Sequence, residues 1–257
     1  MRGESVVALV LLEWSVGLVA ASTWTQSWAV VRRGHFRVVA WTCGLLALPA
    51  LFSSDGSGLA GVAIAAFAAL TAVHLVAQYF LGEPAGIVAG GTAAVIGVAS
   101  LAFIAGVVPS WPWWQALGGL VAGAALLGAV TNGMLLGHWY LNQPGLQTWA
   151  LARLTTLTLV TVAASTISGL VAAGLLAGAS SEGAGLSVPG GLLSRGSMSP
   201  VFFLTWLGLL AFTGAVAWMA RRCIEIRSIQ SATGLYYVAI LTAGVSEFLV
   251  RYLMLNA

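Results

Sequence analysis

Residues 86–108 read GIVAGGTAAVIGVASLAFIAGVV, an apolar run without one charged side chain. A helix needs about 20 such residues to cross the hydrocarbon core of a bilayer. Runs of this kind recur at 6–30, 38–53, 59–81, 114–140, 152–178, 200–220 and 234–255. With 86–108 they make eight. The second, 38–53, is short and contains Pro49, so its bounds are the least sharply marked.

Composition agrees. Of the 257 residues, 60% are hydrophobic and 7% charged, and mean hydropathy is +0.98. A soluble domain carries about 25% charged residues, so this chain lacks the charge to clothe a water-facing surface. The expectation is an all-α integral membrane protein, 1–257 forming one polytopic domain of about eight spans arranged as four hairpins. The N-terminus offers only Arg2 before the first run and no small-residue cleavage site, so that run is expected to be retained as a span. Cys43 and Cys223 fall in or beside apolar segments and read as buried thiols, with no CxxC pattern.

Polar or turn-forming residues separate the runs at 32–37, 53–57, 82–84, 109–112, 141–147, 180–199 and 221–227. With eight spans, Arg32, Arg33, Arg37, Arg153, Arg221, Arg222 and Arg227 share one side, and Arg2, Arg195 and Arg251 lie toward the other. The positive-inside rule makes the arginine-rich side cytoplasmic, so a multi-pass protein of the inner cell membrane with both termini extracytoplasmic is expected. The basic residues, all arginine, sit at helix ends and not in a groove-sized patch, which argues against nucleic acid. Trp111, Trp113 and Trp114 beside Pro109 and Pro112 read as an interfacial belt. The Gly/Ser-rich 180–199 segment is expected outside, as a loose connection or a docking surface. The 32–37 segment weakly echoes 221–227, and 80–84 echoes 140–144, from duplication or from convergent loop chemistry.

Ionisable groups inside a span are costly and usually face the bundle interior. Glu13 lies about a third of the way along the first span. Glu247 and Arg251, at i and i+4, share a face of the last. All three are expected in the outer half, either as an ion pair tying helices together or as carboxylates exchanging protons with a quinol. His74 and His138 lie toward the arginine end of the third and fifth spans. Two imidazoles on facing helices suit a b-type haem, although counting back from Pro84 and Pro144 leaves their levels mismatched by roughly 6 Å. The alternatives are a quinone or substrate pocket, with Gln78, Tyr79, Asn132, Trp139, Tyr140, Asn142 and Gln143 around it, or plain hydrogen bonding. His35, in the arginine-rich loop, reads as solvated or facing headgroups.

Thr155, Thr156, Thr158, Thr161, Ser165, Thr166 and Ser168 fill the sixth span, for packing or as a polar path. Gly119-xxx-Gly123 and Gly133-xxx-Gly137 suit close helix contact. No P-loop, HExxH, nucleophile elbow or cysteine cluster occurs, and no stretch between spans is long enough to fold as a catalytic domain.

Eight spans, outward termini and the last-span stretch Glu247-Phe248-Leu249-Val250-Arg251-Tyr252 resemble the DmsC/NrfD-like membrane-anchor subunits of respiratory oxidoreductases; the Glu13 segment is loosely similar. The resemblance implies a quinol site in the membrane, no haem, and a docked iron–sulfur partner. His74 and His138 depart from that pattern and fit better with a haem-bearing anchor and a cytochrome partner. The function expected is a membrane-anchor, quinone- and haem-interacting subunit of a respiratory electron-transfer complex. The rivals are a small transporter, with Asn132 and the Thr-rich sixth span lining a path, and a structural scaffold.

Overall fold

A computed structural model describes residues 3–54, 58–108, 111–143, 145–182, 193–194, 197–198 and 200–256. Arg2, Arg195, Pro109, Pro144 and most of the 180–199 segment lie outside them. Eight long helices follow one another: α1 (Gly3–Gln26), α2 (Arg33–Ser53), α3 (Gly58–Phe80), α4 (Glu83–Gly106), α5 (Trp113–Asn142), α6 (Trp149–Glu182), α7 (Pro200–Glu225) and α8 (Ile229–Asn256). Between α6 and α7 the backbone adds one small departure from an all-α chain, the antiparallel pair β1 (Leu193–Ser194) and β2 (Ser197–Met198).

All eight helices are long and apolar enough to cross a membrane. Such runs suit helix, the form in which a segment satisfies every backbone N–H and C=O within itself, as a hydrocarbon surrounding would require. The large apolar side chains that remain exposed, such as Phe52, Leu59, Phe80, Val88 and Val95, are consistent with lipid contact.

Helix ends follow local chemistry. Pro84 sits in the first turn of α4, where its missing N–H is harmless, and Pro112 carries the carbonyl that receives the first α5 donors, from Gln115 and Ala116, at 2.9 Å. Between α7 and α8, Arg227 adopts φ +61°, Ser228 N–H reaches Cys223 O at 2.8 Å and Arg227 N–H reaches Ile224 O at 3.0 Å. Those two bonds form a Schellman stop, here with arginine at the position glycine usually takes.

Consecutive helices do pack in pairs, but the pairs do not stand in a row. In one ring α1 meets α2, α2 meets α3, α3 meets α4, and α4 returns to α1; α5 to α8 close a second ring in the same order. The rings join through α1 against α5, flanked by α4 against α5 and α1 against α8. The centre is therefore α1 and α5, 72% and 78% buried over their spans, against 28–44% for the others. Equivalent positions in the two rings relate the α1–α2 turn to the α5–α6 turn. The sequence echo pairs the α1–α2 turn with the α7–α8 turn, so it reflects similar loop chemistry and not this repeat.

The central contact is between backbones. A Cβ on Gly17 would run into the Ala124 carbonyl, and one on Gly128 into the main chain of Gly17. The glycine pairs expected to serve close helix contact bring α8 against α5: positions 123, 133 and 137 of α5 make room for the Glu247, Tyr236 and Thr233 side chains of α8.

Candidate functional site

Two polar clusters lie in the bundle at opposite ends. The first is near the end where α1 begins and α8 finishes. Arg251 Nε donates to Glu13 Oε1 at 2.7 Å, and its Nη2 donates to Glu247 Oε2 at 3.0 Å and to the Gly119 carbonyl at 2.7 Å. The three side chains are at most 2% exposed. One helical turn separates Glu247 from Arg251, which stacks them, and the absence of a side chain at Gly123 leaves the space they occupy. Glu13 comes from the neighbouring ring, so the cluster also clasps the two rings together. Glu13 Oε2 finds no hydrogen-bond partner among the described residues.

A small cavity borders this cluster, and a larger pocket lies about one helical turn from it. On the α1 side, a pocket of about 230 Å³ is lined by Ser5, Ala8, Leu9, Leu12, Ser53 and Leu255 among others. Leu9 is one turn from Glu13, and Leu255 one turn from Arg251. On the α6–α7 side lies a much smaller cavity, bordered by Glu247, Arg251, Ser165 and Trp111. Trp111 is not part of an exposed belt: it is 6% exposed, whereas Trp113 and Trp114 are 53% and 57% exposed.

The second cluster is at the arginine end. The sequence places His35 in the arginine-rich loop, but α2 begins at Arg33 and His35 is buried in its first turn. Its ring Nε2 lies 3.1 Å from Asn132 Oδ1, and Asn132 Nδ2 donates to Thr25 Oγ1 at 2.8 Å. Because the amide nitrogen is committed to Thr25, Oδ1 accepts and the His35 proton is on Nε2. Gln26 and Gln78 pair through both amides, at 2.8 and 3.2 Å. His74 Nδ1 donates to Gly86 O at 3.1 Å. The arginines here serve helix ends: Arg33 donates to Ala77 O and Leu81 O, and Arg37 to Gln78 O, at the last turn of α3, where Ala77 O also accepts from Leu81 N–H.

The structure thus brings Glu13, Glu247 and Arg251 together and leaves His74 and His138 apart in character. His74 is fully buried with Nε2 unpartnered among the described residues. His138 is exposed on α5, and α5 packs chiefly on α1, α6 and α8, not on α3. These residues do not fit a bis-histidine haem site, and among the described residues no group of three His, Cys, Asp or Glu is placed to hold a metal.

The aromatic and amide groups expected around the histidines are engaged locally. Trp139 Nε1 donates to Gln143 at 2.7 Å, the Tyr140 hydroxyl to Gln147 O, and Asn142 to His138 O at 3.2 Å. Likewise Thr155, Thr156, Thr158, Thr161 and Thr166 donate back to carbonyls of α6, and Thr155 and Thr156 also accept from Tyr236 and Arg221.

Sequence reasoning missed His35 and Trp111 as interior groups. The signal for His35 was its register: His35, Val39, Cys43 and Ala47, each one turn apart, are all buried. For Trp111 there was no comparable signal, since it precedes α5 and has no helical register. The chain matches no protein-family model, no curated protein and no solved structure. The resemblance to oxidoreductase anchors therefore rests on its residues alone.

Proposed function

We propose that this protein is a membrane subunit of a respiratory electron-transfer complex, handling a quinone at the end of the bundle opposite the arginines. The observation that carries this reading is the Glu13–Arg251–Glu247 cluster, in which two buried carboxyl groups share one guanidinium about one helical turn from a pocket lined by apolar side chains. Buried charges of unequal number are expensive, and a proton is the smallest cation that makes up the difference. Quinol oxidation releases two protons with its two electrons, so a quinol site needs a carboxylate with an oxygen to spare. Glu13 Oε2 is such an oxygen. Leu9, Leu12 and Leu255 offer apolar walls for the ring and tail, and Ser5 and Ser53 offer hydroxyls at the rim.

In this reading Arg251 holds both carboxylates in place, Glu13 takes the two protons in succession and passes each on to water at the outer side, and the two electrons leave to a peripheral iron–sulfur or cytochrome partner. The arginine end faces the cytoplasm of the inner cell membrane, and both termini face outward. Haem has no part in it.

The test is titration of the nanodisc-embedded protein with a short-tailed quinone. Saturable binding is expected, with Leu12→Trp, which fills the pocket, weakening it at least tenfold. Glu13→Gln is expected to keep binding while abolishing quinol-dependent proton release in the native complex. Absence of saturable binding would remove the reading.

A further inference from the structure

On the side of Glu247 away from Glu13 is a cavity of about 10 Å³, bordered by Trp111, Gly119, Ser165, Ser168, Trp206 and Arg251. It lies among α5, α6, α7 and α8. Its walls contain two polar groups with nothing to bond. Trp111 Nε1, which can only donate, finds no partner among the described residues, and neither does Ser165 Oγ. The Ser165 hydroxyl lies beside the Glu247 carboxylate, close enough to interact with it directly. Trp111 and Ser165 are each 6% exposed, so bulk water does not serve them. An orphaned donor or hydroxyl in such a place is destabilising.

We infer that this cavity is a binding site for a single water molecule that hydrates Glu247. Three observations select the ligand. The volume matches one water, which needs roughly 10–15 Å³, and admits nothing larger. The wall carries both a guanidinium and a carboxylate, so neither a cation nor an anion is favoured over a neutral molecule. The orphaned groups are a donor (the indole N–H) and a hydroxyl that can donate or accept. With the carboxylate as acceptor they meet the two to four partners a buried water requires.

The water accepts from Trp111 Nε1–H and donates to Glu247 and Ser165 Oγ. Glu247 then has a hydrogen-bonding neighbour outside the ion pair, on the side facing away from the quinone pocket. The two carboxylates become chemically distinct: Glu13 Oε2 is left without a partner among the described residues, and Glu247 is held by the water. This site does not depend on the quinone reading.

A crystal structure of the full chain grown from a lipid mesophase, refined to where ordered waters are visible, tests it. A density peak within hydrogen-bond distance of Trp111 Nε1 and Ser165 Oγ is expected. The sign of the Ser165→Ala effect on thermal unfolding is the second measurement. Loss of a water partner lowers Tm by about 2–4 °C, whereas removing an unbonded hydroxyl from a dry cavity raises it. No density in the cavity, direct pairing of Ser165 with Glu247, or a rise in Tm for Ser165→Ala overturns the inference. None of these readouts involves quinone, so they are separate from the outcome of the quinone titration.

Discussion

Arg251 is the residue on which the interior electrostatics turn. It is 1% exposed and holds a glutamate from α1, a glutamate from its own helix and a carbonyl of α5. Replacing it by Met leaves two carboxyl groups buried without a counter-charge, a change that costs about 3–5 kcal/mol. A large fall in the denaturation midpoint of the detergent-solubilised variant is expected. Adding Glu13→Gln and Glu247→Gln to Arg251→Met should recover most of it, and an Arg251→Met protein as stable as the parent would refute the assignment. Asn132 plays the comparable part at the arginine end. In Asn132→Leu, His35 Nε2–H loses its acceptor, while Thr25 Oγ1 loses a donor but keeps its bond to Ala21 O, and a loss of about 1–3 kcal/mol is expected from equilibrium unfolding. Sequence located the first group through the i, i+4 spacing of Glu247 and Arg251. It did not locate the second, because nothing linear joins positions 25, 35 and 132.

At the scale of elements, the decisive contact is α1 on α5. Gly17 lies where the two main chains touch, so Gly17→Ala has only backbone to push against. The expected result is loss of monodisperse protein in size-exclusion chromatography, with Gly234→Ala, where a Cβ meets nothing within 4 Å, as the silent control. The α7–α8 turn gives a change of opposite sign. Arg227 occupies a left-handed conformation at φ +61° that a side chain makes unfavourable by about 1–2 kcal/mol. Arg227→Gly is therefore expected to stabilise by about 1 kcal/mol, read as a higher Tm. Helix number and approximate bounds were legible in the apolar runs, with α2 starting earlier, at Arg33, than its run suggested. That early start is what carries His35 into the interior, since Arg33 and Arg37 reach the carbonyls at the end of α3 and let the helix extend past its apolar stretch.

At the scale of the whole molecule, two four-helix rings share a central helix pair, and each end carries its own polar cluster. The arginines gather at one end and the Glu13–Arg251–Glu247 cluster lies toward the other. The proposed orientation makes the arginine end cytoplasmic. In right-side-out vesicles a membrane-impermeant maleimide should label a cysteine placed at Ser54 and should spare one placed at Arg227 until the membrane is opened. The reverse pattern would invert the topology and move the proposed quinone pocket to the cytoplasmic side.

Sequence by itself determined the spans and the charge asymmetry between the two ends. Both are local properties, set by the run length that hydrocarbon demands and by where arginine can reach water or headgroups. It also marked Glu13, Glu247 and Arg251, because an ionisable residue in an apolar run stands out wherever it points. Tertiary structure alone decided which helices are central, that Arg251 serves both glutamates, that His35 faces inward, and that His138 is exposed on α5 while His74 is buried. Those depend on helix rotation and neighbour choice. In a membrane, apolar faces turned to lipid and to protein look alike, so periodicity carries little of that information. The small residues and buried hydrogen-bond partners that do settle it lie far apart in the chain.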